Sequence, residues 1–492
     1  MDPVFEFPIV LPARDSRGLL RALHAQLRAA LLDGRLKPGL RLPSTRKLAR
    51  AYRVSRNTAV AAYDLLSSEG YLVSRRGSGV FVADVLPRRV ERKTSGSLRS
   101  DDRRLNPLWR RTPPPMMAPP GSATLHDFRL GVPDTVLFPF AIWRRLSARA
   151  MRTSSKSQAG YSDPRGRRAL REAIAQHVSF ARAVACRPDD IVVTSGAQQA
   201  LDLLARILVT PGRTVVAIEN PGYPPLRAAF AAAGAKLVPV RVDAEGLDVE
   251  RLPRDARVVC VTPSHQFPLG SAMSAQRRAA LLEFARAREA VVIEDDYDGE
   301  FRFGGRPLDA LQTLDRAESV FYVGTFSKSL FPTLRIGYVV APPWAQGALA
   351  AAKQIADWHC GLVAQDTLAA FIGEGHLARH VRRMRRVYAG RRDVLLAGLA
   401  EFGERLTPVP SIAGLHLCAL LPRAVDADEI VAAARRHDVG VSSLRDYYHG
   451  TVARSGIAFG YGTIDERGIV EGLARLRRVM PRAYKPSSER PG

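Results

Sequence analysis

A small, mainly helical unit followed by a large α/β unit is the architecture this chain predicts, and three patterns predict it. Leucines at helical spacing, two capped short helices and a glycine-bearing hairpin fill residues 14–82. From Asp127 onward, strand-length apolar runs alternate with helical segments, which argues for a mostly parallel sheet covered on both faces. Between the two, residues 83–126 lose all periodicity to arginine pairs, Ser/Gly and prolines, the composition of a tether. The large unit is expected over 127–483, with a smaller α+β subdomain over about 350–483, and a tail over 484–492.

Composition narrows the function. The chain has 492 residues, 46% hydrophobic, enough for at least two cores. Cys186, Cys260, Cys360 and Cys418 are far apart, without metal or redox spacing, which suggests free thiols in a reducing compartment. No metal site is expected. Neither a secretory signal nor an apolar run of membrane-crossing length is visible, so the expected location is cytoplasmic, with no membrane partner. The net charge of +25 divides as +8 over residues 1–82, +5 over 83–125 and +12 over the rest. Per residue, the front is the more basic, which favours a polyanionic partner there.

In the front unit, Leu20, Leu23, Leu27 and Leu31 mark an amphipathic helix that stops at Gly34 and the Lys37–Gly39 turn. Ser44 can cap a helix over Thr45–Tyr52, and Ser55 another over Arg56–Ser67, joined at Arg53-Val54. Ala59, Tyr63 and Leu66 would face inward. This is helix-turn-helix geometry, and the polar start of the last helix can reach base edges and phosphates in a major groove. The hairpin Tyr71–Val82 carries Arg75, Arg76, Gly77 and Gly79 at its tip, a wing that can approach a DNA backbone.

In the large unit, strands are expected at Ile191–Thr194, Thr214–Ile218, Leu237–Val242, Val258–Val261, Val291–Ile293, Val320–Val323 and Gly337–Val340. Helices are expected at Arg168–Phe180, Ala197–Val209, Tyr223–Ala233 and Ala275–Ala287. Ligands of such sheets bind beyond the carboxyl ends of strands. The loop after Val323 brings Thr325, Ser327, Lys328 and, further on, Arg335. A lysine in an apolar mouth loses its proton more readily, and a neutral amine condenses with a carbonyl. Hydroxyls with an arginine suit a phosphate dianion. Those are the needs of pyridoxal phosphate. The other loops agree. Thr194–Ala200 opens a helix through a glycine, leaving amides for a phosphate. Tyr223 can stack on a flat ring, and the turn Pro263–Gly270 can face it. The acidic run Glu294–Glu300 follows a fully apolar strand, so a buried carboxylate there suits a protonated pyridine nitrogen.

These motifs carry a resemblance. Pro38–Ala49, Val54–Thr58 and Gly77-Ser78-Gly79 resemble the winged helix-turn-helix of the GntR superfamily. Gly131–Asp134, Tyr161–Gly166, Ser195–Gln199, His265–Pro268, Glu294–Tyr297, Ser327-Lys328 and Arg335–Tyr338 resemble the α/β fold type I PLP-dependent aminotransferases. Together the chain looks like a MocR/GabR-type regulator. The resemblance implies that Arg46, Ser55, Arg56, Asn57, Thr58, Arg75, Arg76, Gly77 and Gly79 meet DNA. It implies that Lys328 forms the internal aldimine, Asp295 pairs with the pyridine nitrogen, Tyr297 bonds the ring hydroxyl and Tyr223 stacks on the ring. Ser195, Gly196, Ala197, Gln198, Thr325, Ser327 and Arg335 would hold the phosphate, and Tyr161 would reach it from a neighbouring subunit of a homodimer. Two departures stand out. Phe267 occupies the usual asparagine position, leaving His265 or Gln266 to supply a polar contact. Gly456 occupies the usual carboxylate-binding arginine position, with Arg445 and then Arg454 as replacements. The expected function is a regulator that binds a double-stranded DNA operator and senses an amine, an amino acid or pyridoxal phosphate. The rival is a working aminotransferase with an accessory front domain.

Overall fold

The computed structural model describes residues 4–12, 18–84, 104, 109, 124–155, 160–304 and 309–480. Most of the tether expected over 83–126, and the tail over 484–492, lie outside these residues. The chain divides into two compact units, residues 1–100 and 101–492.

In the first unit, helices span Leu19–Leu32, Thr45–Tyr52 and Arg56–Ser68. Both expected caps form: Ser44 Oγ accepts from Lys47 N at 3.2 Å and Ser55 Oγ from Thr58 N at 3.0 Å. Between these helices Arg53 adopts φ +51°, the left-handed turn that lets the second start at an angle to the first. Leu23, Leu27, Leu31, Leu48, Ala59, Tyr63 and Leu66 close one apolar core. His24 (2.9 Å) and Arg28 (3.1 Å) pair with Glu69, tying the first helix to the end of the third.

The wing strands Leu72–Arg75 and Gly79–Val82 run antiparallel. The sequence marks a turn at Lys37–Gly39 and a helix from Thr45, with no strand between them. In the structure Leu42 N donates to Val80 O (2.8 Å) and Val82 N to Leu40 O (2.9 Å), so Leu40–Leu42 lies along the wing as a third strand-like segment. A three-residue segment is too short to show alternation, which is why the pattern concealed it.

The second unit is built on an eight-stranded sheet. Its order is Ile191–Thr194, Gly337–Val340, Val320–Thr325, Val291–Asp296, Ala256–Val261, Val215–Asn220, Lys236–Asp243 and Gly246–Leu247. The five strands from Val320–Thr325 to Lys236–Asp243 pair in parallel, while Gly337–Val340 runs antiparallel to both neighbours. Parallel strands buried on both faces read as continuous apolar runs, and these do. Helices Arg168–Arg182, Ala197–Leu208, Pro224–Ala232 and Ala275–Arg288 end within two residues of expectation. A second, four-stranded antiparallel sheet orders Thr407–Pro408, His416–Leu420, Gly456–Gly460 and Ser442–Ser443. The long helix His376–Ala400 and helix Glu466–Val479 pack with it around Phe128, Tyr388 and Phe459.

No helix among the described residues is long and apolar enough to cross a membrane. Removing a cap exposes its contribution directly. Ser44→Ala is expected to destabilise the front unit by about 1 kcal/mol, and Ser44→Asp to restore it. Hydrogen exchange across residues 45–52 of the full chain reads the difference.

Candidate cofactor site and nucleic-acid face

The carboxyl ends of the parallel strands gather one cavity of about 230 Å³. Strand Val320–Thr325 delivers Lys328 to it on a tight turn. Ser327 N donates to Thr325 Oγ1 (3.2 Å), Thr325 Oγ1 to Ser327 Oγ (3.1 Å), and Leu330 N to Phe326 O (2.9 Å). Phe326 and Leu330 are buried beneath the turn, so the lysine between them is held toward the cavity. Lys328 Nζ donates to Gly131 O at 2.5 Å. Burial lowers its pKa, Asp298 and Asp295 raise it, and Arg335 lowers it again.

Asp295, at the end of strand Val291–Asp296, lines the same cavity. Burial, then the neighbouring Asp296, push its carboxyl up to about 7, against the pull of Lys328. Its Oδ1 is buried without a hydrogen-bond partner. Tyr297 and Tyr223 also line the cavity, and the Tyr223 ring meets Phe267 edge-on at 5.4 Å. His265 takes a different place from the expected ring contact. Its Nδ1 lies 2.9 Å from both Asp298 Oδ2 and Tyr297 Oη, outside the cavity lining, with the ring 1% exposed. Gln266 is also absent from the lining. Its Nε2 is spent on Glu219 Oε2 (3.3 Å), Pro221 O (2.8 Å) and Phe267 O (2.7 Å), and its Oε1 accepts from Leu269 N (3.1 Å). It braces two loops against one another.

Arg335, Thr325, Ser327, Ala197 and Gln198 line the other part of the cavity. Helix Ala197–Leu208 begins there with no side-chain cap, leaving its first amides open to an anion. Gly196 has φ +80°, and a Cβ on it would stand 2.9 Å from the Arg335 guanidinium. Arg335 Nη2 donates to Ser195 O (2.7 Å). The Ser195 hydroxyl is outside the lining and lies 3.3 Å from Asp357 Oδ2 and 3.4 Å from Cys360 Sγ. Asp357 in turn pairs with the fully buried Lys353.

Three further expected residues lie outside the lining of this chain's own cavity. Tyr161 is 78% exposed and stacks on Trp358 at 4.2 Å, away from the cavity lining of its own chain. Arg445 is on the surface, 3.3 Å from Asp428, and Arg454 is exposed. Neither lines the cavity. The sequence reading missed Asp298, Phe267 as a lining residue, and the Gly131 carbonyl. Asp298 lay in the acidic run already marked, but nothing local separates it from Asp295.

In the front unit, Arg46, Ser55, Arg56, Asn57, Arg75, Arg76, Gly77 and Gly79 are exposed, and Thr58 is half-buried with its hydroxyl 2.8 Å from Ser55 Oγ. Gly77 and Gly79 have φ +78° and +108°, which the wing tip requires of them.

The cavity residues fit pyridoxal phosphate. An unpartnered, buried Asp295 oxygen awaits a donor, Gly131 and Gly196 leave no room for a Cβ beside Lys328 and Arg335, and a helix start offers free amides.

Comparison with known proteins places this arrangement. The model for bacterial regulatory proteins of the gntR family matches residues 19–82, and that for aminotransferase class I and II matches residues 134–467. The probable rhizopine catabolism regulatory protein MocR of Rhizobium meliloti is 40% identical over 466 residues, covering 94% of this chain and 93% of the relative. The chain belongs to the MocR-type regulators of the GntR family. The HTH-type pyridoxine biosynthesis transcriptional regulator PdxR of Corynebacterium glutamicum is 34% identical over 96% of this chain and 98% of its own. The aminotransferase part is similar to solved enzymes. Pyrococcus horikoshii kynurenine aminotransferase matches with a TM-score of 0.68 at 29% identity, over 73% of this chain and 91% of that one. This MocR-type chain therefore joins a helix-turn-helix to a fold type I aminotransferase-like domain.

The Asp295 carboxyl sets a pH signature. Its folded pKa of about 7 lies above the ordinary 3.8, so the folded state holds a proton that the unfolded state has released. That contribution is complete below the ordinary value and is lost as pH rises toward 7. Asp295→Asn, free of cofactor, is therefore expected to gain Tm over the wild type progressively up to about pH 7, then hold level. A pH-independent difference in thermal melts would contradict this.

Proposed function

We propose that this regulator binds pyridoxal phosphate at Lys328 and couples its occupancy, by an amine, an amino acid or the vitamer itself, to operator binding by the front unit. The observation that carries this reading is the unpartnered, buried Asp295 oxygen in the cavity that also holds Lys328. When bound, the cofactor supplies an aldehyde and an electron-withdrawing ring.

The chain's own residues do the rest. Asp295 accepts a hydrogen bond from the ring nitrogen and keeps it protonated. Lys328, its pKa lowered by burial, gives up its proton more readily than an exposed lysine. Tyr223 would cover one ring face, and Tyr297, whose hydroxyl is held by His265, would meet the ring hydroxyl. Arg335, Thr325, Ser327 and the amides of Ala197 and Gln198 hold the phosphate. The exposed Tyr161 serves the site of a second copy, which makes the working unit a homodimer. Arg46, Arg56, Asn57 and Thr58, with the wing glycines and arginines, hold DNA in a winged-helix mode.

The rival, a steady aminotransferase, finds less support. Gly456 begins a buried strand, where a Cβ would stand 2.8 Å from Ala419 O. Among the residues lining the cavity, Arg335 is the only arginine, and its place is at the phosphate. A fast catalyst for amino acids needs a second cation for the carboxylate.

The wild type mixed with pyridoxal phosphate is expected to gain visible absorbance that Lys328→Ala lacks, while both still bind duplex DNA. Sustained transamination between an amino acid and a 2-oxo acid, at roughly 1–1,000 per second, would favour the rival.

A further inference from the structure

The strongest unassigned feature lies on the effector domain, on helix His376–Ala400. Between residues 379 and 392 it carries seven arginines and no acidic residue. Leu377, His380, Val381, Met384 and Tyr388 form its buried face. Arg379, Arg382, Arg383 and Arg386 follow the i, i+3, i+4, i+7 spacing of the opposite face, and all four are exposed. Arg379 is engaged locally, Nη2 donating to Glu374 O (3.0 Å) and lying 2.7 Å from His376 Nδ1. Among the described residues, Arg382, Arg383 and Arg386 have no ion pair. Glu374, two residues before the helix, is already taken by Arg149 and His376.

The arrangement works against the helix. Arg379, in the first turn, opposes the helix dipole. The pairs Arg379–Arg383 and Arg382–Arg386 are like charges at i, i+4, which destabilise rather than support. A polyanion laid along the stripe would offset that repulsion. The stripe extends for roughly 10 Å, a length along which a duplex presents about six phosphates.

We propose that this arginine stripe is a second, sequence-independent contact to the DNA backbone, made by the effector domain itself. Guanidinium groups are suited to phosphate oxygens, and the chain's own helix-turn-helix keeps duplex at high effective concentration. The inference rests on the reading of the front unit as DNA-binding.

The test compares full-length wild type with the triple variant Arg382→Gln, Arg383→Gln, Arg386→Gln on a long duplex of mixed sequence, titrated across salt. Each lost phosphate contact lowers the slope of log K against log salt by about 0.9. The variant is expected to lose between about one and three from that slope, with unchanged cofactor absorbance and oligomeric state. The corresponding lysine triple variant is expected to keep most of it, which separates charge from folding. An identical slope in wild type and glutamine variant overturns the proposal. A slope change that appears only with altered oligomeric state also overturns it, assigning the stripe to a subunit contact. Arginine-dependent retention on phosphatidylserine vesicles with an unchanged duplex slope would assign it to a lipid surface instead. Wild type that binds no duplex at all would sink the front-unit reading as well as this one.

Discussion

A desolvated amine facing a desolvated carboxyl at the edge of a parallel sheet is the constraint on which the rest depends. Lys328 and Asp295 are each driven toward neutrality by burial and each pulled back toward charge by the other. Alone, such a pair is an unstable compromise, because a buried group without a full set of partners costs more than it returns. A protonated ring nitrogen beside Asp295 and an aldehyde beside Lys328 would resolve both. Two neighbouring carboxyls, Glu294 and Glu219, are also pushed up to about 7 by burial. Glu294 accepts from Leu311 N and Gln312 N, and Glu219 from Thr262 and Gln266. Both carboxyls are thus held by main-chain and side-chain donors, not by solvent.

The carbonyl that receives Lys328 belongs to a segment tied to the elements around the small sheet. Gly131, whose carbonyl receives Lys328, lies three residues before Asp134. Arg391, from the long helix His376–Ala400, donates to Asp134 Oδ2 at 2.6 Å and to Gly462 O at 2.6 Å, and Asp134 N donates to the Tyr388 hydroxyl at 2.9 Å. Both partners of the Asp134–Arg391 pair are 8% exposed. Whatever draws Lys328 away from Gly131 therefore acts on a short segment clamped to the helix that also carries the arginine stripe. A ligand can exploit that route only if it favours one arrangement over the other.

Much of this was legible in the chain. The strand ends, the glycine loop before Ala197, the acidic run and the Ser327-Lys328 turn fall where the loops converge, because a parallel sheet makes the chemistry local to each strand's last residues. The Ser44 and Ser55 caps were equally readable, since a cap acts within three residues. The rest depended on contacts distant in sequence. His265 reads as a ring contact until Asp298 and Tyr297, more than thirty residues on, draw it behind the site. Ser195 reads as a phosphate ligand until Asp357, from a helix end 162 residues away, claims its hydroxyl. Arg445 reads as a carboxylate clamp until Asp428 pairs with it at the surface. No local pattern encodes such competition.

The central claim concerns one of two candidate amines, Lys328, which is half-buried, and Lys353, which is fully buried. Lys353 is more deeply buried than Lys328, but it is committed to Asp357, with Cys360 Sγ 3.6 Å away, and lines no cavity with an open carboxyl. Incubating the full chain with pyridoxal phosphate, reducing with borohydride and mapping the peptides by mass distinguishes them. The cofactor is expected on the peptide containing Lys328 and absent from that containing Lys353. An unmodified Lys328 peptide, or label spread over surface lysines, would contradict the account.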